Sequence, residues 1–484
     1  MLKKEALHAL IHALSKSEKR YFKLYCQREA DSSNYIKLFD AIEKQDNYDE
    51  QAIKKKFIQE TFVRQLHVTK HYLRQLILKS LRQFHADISK NAVLKDTLRN
   101  VEILYNKELY ELCTTELKKA EAIAGAYELL PGLVEVMTWK RKIKQALHPH
   151  EYPEFQQIIL DQKAAISALA NTNYYWENAI SISGKTFTPP EQASSEKQPI
   201  WKEKASTLEA KMLYYSTNYL LDLQQQQIEQ APTHLQALID LLEQYPERIE
   251  EEPTWYIATI NNLVSYQVFR KNHEDALILI QKAKKIYEHW RFTSENRSLL
   301  KQVLRTYNIE LEIYRSLKTF TAEQTQFVAT TEAFMKEHVH KMPKEYLVSF
   351  WFQLGSIYFM RKEYHAALHW INQLLNARFK DIRTDLLVQA NMLNLMIHWE
   401  QQNLMVLRYY VDSARRLVKK VKRVQPYEEI LLKFFAKLGR LPLLEYKTAF
   451  QQLEQTLFPA HGESLIPADT LNYIDYKTWI KDNQ

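Results

Sequence analysis

Glycine is the residue this chain almost does without. There are 484 residues and only 6 glycines, where average usage would give roughly 34. Tight hairpins and loops that cradle phosphate need positions free of a Cβ. Gly125, Gly132, Gly184, Gly355, Gly439 and Gly462 stand singly, with no G-x-G pair and no G-K-S/T. Phosphate loops of the nucleotide-binding kind are thereby excluded. Leu, Lys, Gln, Glu and Ala dominate instead, and all are strong helix formers. The expected fold class is all-α, with more than about 65% helix.

The chain contains no apolar run of about 18 residues, so no membrane span is expected. Leu2, Leu7, Leu10, Ile11 and Leu14 fall on one helical face, broken by Lys4, Glu5, His8 and His12. That pattern is unlike a signal peptide. Cys26 and Cys113 are too few and too far apart for a disulfide framework or a Cys-rich zinc site. These features point to a cytoplasmic protein without a cofactor.

Local signals place the first helices. Ser15 and Glu18 have the spacing of a capping box, with a helix over 19–26 behind them. Asp46 to Asp49 offers caps for a helix carrying Ala52, Ile53 and Phe57. The strongest amphipathic helix runs from about Val68 to Phe84. Leu94, Leu98, Val101 and Leu104 form a further stripe, and Leu109, Leu112, Leu117 and Ala120 the next. Pro131-Gly132 reads as a break between helices.

Residues 351–371 carry the sharpest pattern. Trp351, Leu354, Gly355, Tyr358, Ala367 and Ile371 fit W-x2-L-G-x2-Y-x8-A-x3-(aromatic or aliphatic). This spacing resembles a tetratricopeptide (TPR) repeat, a helix–turn–helix unit that stacks into an α-solenoid. Leu263 and Ala276 repeat the offset of 13 residues between Leu354 and Ala367. The segments 14–24 and 65–73 also resemble a conserved bacterial family of unassigned function. On this resemblance the chain divides into a basic helical N-terminal domain (1–90), degenerate helical repeats (91–183), a loop or hinge (184–199), TPR-like repeats (200–440) and an aromatic-rich C-terminal cap (441–484).

TPR proteins bind other proteins, and the first helix of each repeat lines the groove. Carried onto this chain, the resemblance implies groove positions at Phe352, Ser356, Phe359 and Met360, and at Asn261, Ser265 and Phe269 in the earlier unit. A groove with Phe and Met suits an apolar or amphipathic peptide. The Lys/Asn pattern of carboxylate-clamp TPRs is absent from the matched unit.

Charge adds a second candidate. The formal net charge is +8. Residues 51–100 carry +8 and residues 401–450 carry +7, while 151–250 carry −7. Lys70, Arg74, Lys79 and Arg82 share one face of the 68–84 helix. Arg415, Arg416, Lys419, Lys420, Lys422 and Arg423 share one face of another. Either face is a solvated exterior, an anion site or a surface for an acidic partner. With two short helices before it, the first also suits nucleic-acid binding. His pairs at i,i+4 (His8/His12, His67/His71, His365/His369) lack the glutamate of a zinc-protease motif. The expected function is a protein-interaction scaffold without catalysis. The alternative is a nucleic-acid-binding regulator that uses the repeats as sensor.

Overall fold

A computed structural model describes residues 6–27, 33–148, 150, 152–186, 201, 204–288, 296–318, 320–377, 382–420, 425–460 and 463–484, of which 152, 184–186, 420, 468 and 469 by backbone alone. Among the described residues 81% are helical and no strand occurs. No helix is long and apolar enough to cross a membrane among the residues described. The chain forms two compact units, residues 1–241 and 242–484.

The first unit opens with α1 (Ala6–Ala13), α2 (Lys16–Gln27), α3 (Ser33–Glu43), α4 (Glu50–Lys56) and α5 (Leu66–Phe84). Ile11, Phe22, Phe39, Ile42, Leu73 and Ile77 meet in one buried core. The capping box forms as spaced: Glu18 N–H donates to Ser15 Oγ at 3.2 Å and Ser15 N–H to Glu18 Oε2 at 2.6 Å. Its helix begins at Lys16, three residues before the sequence reading. Asp49 caps α4 by accepting from the Gln51 and Ala52 amides.

The rest of the unit is α6 (Lys90–Tyr105), α7 (Tyr110–Ala126), α8 (Leu130–Leu147), α9 (Tyr152–Thr186), α10 (Leu208–Gln224) and α11 (Ala231–Leu242), the last reaching the unit boundary. Two local readings are corrected here. Pro131-Gly132 is no break, because it sits in the first turn of α8, where a missing N–H costs nothing. A Cβ on Gly132 would lie 2.4 Å from Leu94 Cδ2, so the glycine lets α8 approach α6. The core stripe of α7 is Cys113, Leu117, Ala120 and Ala124, with Leu109 and Leu112 outside it. A buried Cys acts as a small hydrophobe, and it shifts the stripe by one position. Helix α9 continues to Thr186, and the remainder of the expected hinge, 187–199, lies outside the described residues.

The second unit consists of successive helix pairs. α12 (Pro246–Glu251) leads into α13 (Pro253–Phe269) and α14 (His273–Tyr287). Then come α15 (Arg297–Leu317) with α16 (Ala322–His338), α17 (Lys344–Met360) with α18 (Tyr364–Leu375), and α19 (Thr384–Glu400) with α20 (Leu404–Lys420). The first members, α13, α15, α17 and α19, pack side by side in chain order. The 91 residues from Ala276 to Ala367 are therefore two units, with the α15–α16 pair standing between the two read from the sequence.

One turn recurs. Lys271, Lys318, Lys362 and Gln402 each follow a first helix and hold the left-handed conformation, with φ of 61°, 55°, 60° and 57°. At three of them the next amide closes the helix end, as Glu363 N–H does on the Tyr358 carbonyl at 2.9 Å. Gly355 shows why the repeat pattern wants glycine. A Cβ there would meet Ile371 Cδ1 at 2.6 Å, so the glycine lets α17 and α18 touch. The unit ends with α21 (Pro426–Leu438), α22 (Tyr446–Leu457), α23 (Ala468–Leu471) and α24 (Tyr476–Asp482).

Candidate peptide-binding groove

The row of first helices presents α13, α15, α17 and α19 along one face, and the chain itself lies on part of it. After α23 the backbone turns at Asn472 and Tyr473, whose amide bonds back to the Thr470 carbonyl at 2.9 Å, and passes over α15 and α17 before entering α24. The Arg315 side chain of α15 donates through Nη1 to the carbonyls of Asn472 and Tyr473, and through Nε to Gln353 Oε1 of α17 at 2.8 Å. Lys318 pairs with Asp475. Tyr473 meets the edge of Phe352, ring centroids 5.9 Å apart. This strap of residues 472–475 is thus held by two main-chain carbonyls, one ion pair and one ring contact, and the carbonyl grip is one that any peptide backbone can offer.

Beyond the strap, α24 is built into the core. Tyr476 is 0% exposed, donates its hydroxyl to Gln389 of α19 and shares a buried cluster with Ile480 and Trp479. Trp479 stacks on Phe435, and its Nε1 donates to Glu400 at 2.7 Å. Burying each such side chain stabilises by about 1.5–3 kcal/mol. Three together are too much for a peptide ligand to replace, so α24 is a fixture. The C-terminal segment packs on α19 and on Phe435 of α21, and it also reaches back to α15.

Two cavities flank the strap. One, of about 270 Å³, lies at its α17–α19 side, lined by Ser356, Phe359, Met360, Leu393 and Trp479 among others. The other, of about 770 Å³, opens at its α13–α15 side, with Ser265, Phe269, Ile309 and Met360 in its wall. Five of the seven residues placed in the groove by the resemblance, Ser265, Phe269, Ser356, Phe359 and Met360, therefore line open space. The Ser356 hydroxyl is buried and has no hydrogen-bond partner among the described residues.

The other two are corrected. Asn261 is fully buried between helices: its amide donates to the Gln302 carbonyl at 2.9 Å, and its Oδ1 accepts from Thr306 at 2.9 Å. It ties α13 to α15 and offers nothing to a ligand. Phe352 is 1% exposed and belongs to the core. The sequence reading missed Arg315 and Lys318, because only the unrecognised middle pair carries them.

The basic faces fare differently. Lys70 is not free. Its ammonium donates to Glu50 Oε2 at 2.6 Å and to the Tyr48 hydroxyl at 3.1 Å. Arg74, Lys79 and Arg82 are exposed, with Lys79 over the Tyr25 ring. On α20, Arg416 and Lys419 are exposed while Arg415 lies 3.8 Å from Asp412. Glu429 of α21 is held below the usual carboxylate range, first by Lys433 and then by Arg415 and Lys419, so part of this charge is answered within the unit. The Lys420 side chain, Lys422 and Arg423 lie outside the described residues. His8 Nε2 lies 2.7 Å from the Gln45 carbonyl oxygen. No three metal-ligating side chains come together among the described residues.

No protein-family model matches the chain, and no curated protein sequence is similar to it.

Proposed function

We propose that the chain is a cytoplasmic, TPR-like protein-interaction scaffold, without catalysis of its own, that binds an extended segment of another protein along the first-helix face of its second unit. One observation carries this reading. Arg315 already holds two consecutive main-chain carbonyls of a strap lying across α15 and α17. Chemistry that grips a backbone does not depend on the side chains it meets. Since α24 stays in place, the partner takes the open stretch from α13 to α15 beside the strap.

The test is site-resolved photo-crosslinking on the intact chain. Phe269 and Ile278 are matched surface positions, 68% and 61% exposed. The first lines the open cavity and the second lies on α14, outside it. A photoreactive residue in place of Phe269 is expected to yield a discrete protein adduct in cell extract, and one in place of Ile278 none. Equal labelling at both positions would defeat the proposal.

A further inference from the structure

The larger cavity is unequal in charge. Arg315 forms part of its wall and is 5% exposed, yet no carboxylate lies within ion-pairing distance of its guanidinium among the described residues. The guanidinium's described partners are two main-chain carbonyls and an amide oxygen. A buried cation left without a counter-ion is expensive. Lys271, at the α13–α14 turn, and Lys477, in the first turn of α24, line the same space, and neither forms an ion pair among the described residues. Lys318 completes the cationic rim, already matched by Asp475. Against these stands Glu312, one turn before Arg315 on α15 and also in the wall. Its charge acts on Arg315 and on His273, and with Asp475 it leaves four cations of the wall facing two carboxylates.

The strap supplies the precedent for what this rim takes. Its only carboxylate over α15, Asp475, sits on Lys318, while its main chain sits on Arg315. We infer that the cavity is a carboxylate-accepting subsite, and that the partner segment lies extended across α13 and α15 with an Asp or Glu side chain directed to Lys271 and Lys477 and an apolar neighbour on Phe269. This deepens the groove proposal and rests on it. The cations come from an interhelical turn, from α15 and its end, and from the first turn of α24. A single-stranded nucleic acid would satisfy the charges and stack a base on Phe269, but the aliphatic Val268, Ile309, Met360 and Leu471 of the same wall suit an apolar side chain.

The experiment uses the full chain and three short labelled peptides of one aromatic-containing sequence, differing only in Asp, Asn or Lys at the acidic positions, with a labelled single-stranded oligonucleotide beside them. Fluorescence anisotropy at physiological salt is expected to rank the Asp peptide at least about tenfold above the Asn peptide, and the Lys peptide below both. Added salt weakens the Asp peptide most. The pair Lys271→Glu and Lys477→Glu is expected to cost the Asp peptide about tenfold and to raise the Lys peptide. Circular dichroism checks that the variants remain folded. The left-handed turn position tolerates glutamate, as Glu108 and Glu128 show at φ of 59° and 43°. Equal affinity for all three peptides, unchanged by the reversals, would overturn the subsite and leave the groove standing. Failure of every peptide to bind would overturn both. Tighter binding of the oligonucleotide, lost in the reversal variant, would reassign the cavity to nucleic acid.

Discussion

At the scale of single residues, glycine governs two opposite features. Gly355 is required by contact, because α18 passes too close for a Cβ. Replacement by Val is expected to destabilise by about 1–3 kcal/mol through overpacking, and trimming Ile371 to Ala in the same chain should restore part of that loss. Urea unfolding of the single and double variants measures it. At the turns the chain does the reverse. Lys271, Lys318, Lys362 and Gln402 occupy a conformation that glycine adopts freely and other residues adopt at a cost of about 1 kcal/mol. Lys362→Gly is therefore expected to stabilise, by under about 1 kcal/mol once the greater freedom of the unfolded chain is set against it. Lys362→Val is expected to destabilise by more, and a melting curve that orders the two the other way would refute the argument. Gly355 was legible in the sequence because its spacing to Trp351, Tyr358 and Ala367 repeats a known geometry. The turn residues were not, since Lys and Gln carry no turn signature.

Among elements, polar links between neighbouring helices set the response to acid. Glu50 opens α4 and receives Lys70 of α5 and Lys54 of its own helix. Lys70 first, then Lys54, holds the Glu50 carboxyl down to about 2, from an ordinary value of 4.5. A carboxyl with a depressed folded value stabilises fully above its unfolded value, and that contribution is lost as pH falls through the folded one. The window is thus from about pH 4.5 down to about 2. Glu50→Gln is expected to flatten the pH dependence of the melting temperature in that window. The effect stays below about 1 kcal/mol, because the pair is partly solvated. A slope unchanged by the substitution would contradict the assignment. Glu18 works in the same direction: burial alone would raise its carboxyl, but His85 and the Ser15 cap outweigh it and leave it lowered. The helices of this region were readable from caps and apolar spacing. Lys70's partner was not, because Glu50 lies 20 positions away and only the fold brings the two together.

For the second unit as a whole, the outcome turns on contacts between distant parts of the chain. Its pairs were half legible. Two announced themselves by matching offsets, and the pair between them keeps the Tyr marker at Tyr314 but has Leu311 where the pattern has Gly355, so Arg315 went unseen. Arg315 and Tyr473 stand 158 positions apart. Helix repeats ordinarily depend on their neighbours alone, so that terminal ones fray first. The strap and α24 add a tie across several of them. Trp479→Ala is expected to cost about 3–5 kcal/mol. Hydrogen exchange should then quicken in α15 and α19 together, rather than in α24 alone. Faster exchange confined to α24 would show that the tie carries no load.

The same tie has a meaning in time. A protein leaves the ribosome from its N-terminal side, and domains generally fold in the order they emerge. The helices from α13 to α20 can pair as they appear, each with the one just made. Arg315 cannot. Its oxygen partners Asn472 and Tyr473 are among the later residues to be made, and until they arrive the guanidinium has only Gln353 and water. A nascent chain stalled before the strap would hold nearly every helix of the unit and still present an open, cationic trough to the cell. In the order of synthesis, Arg315 therefore gains two of its three described partners only after the helices from α13 to α20 have been made.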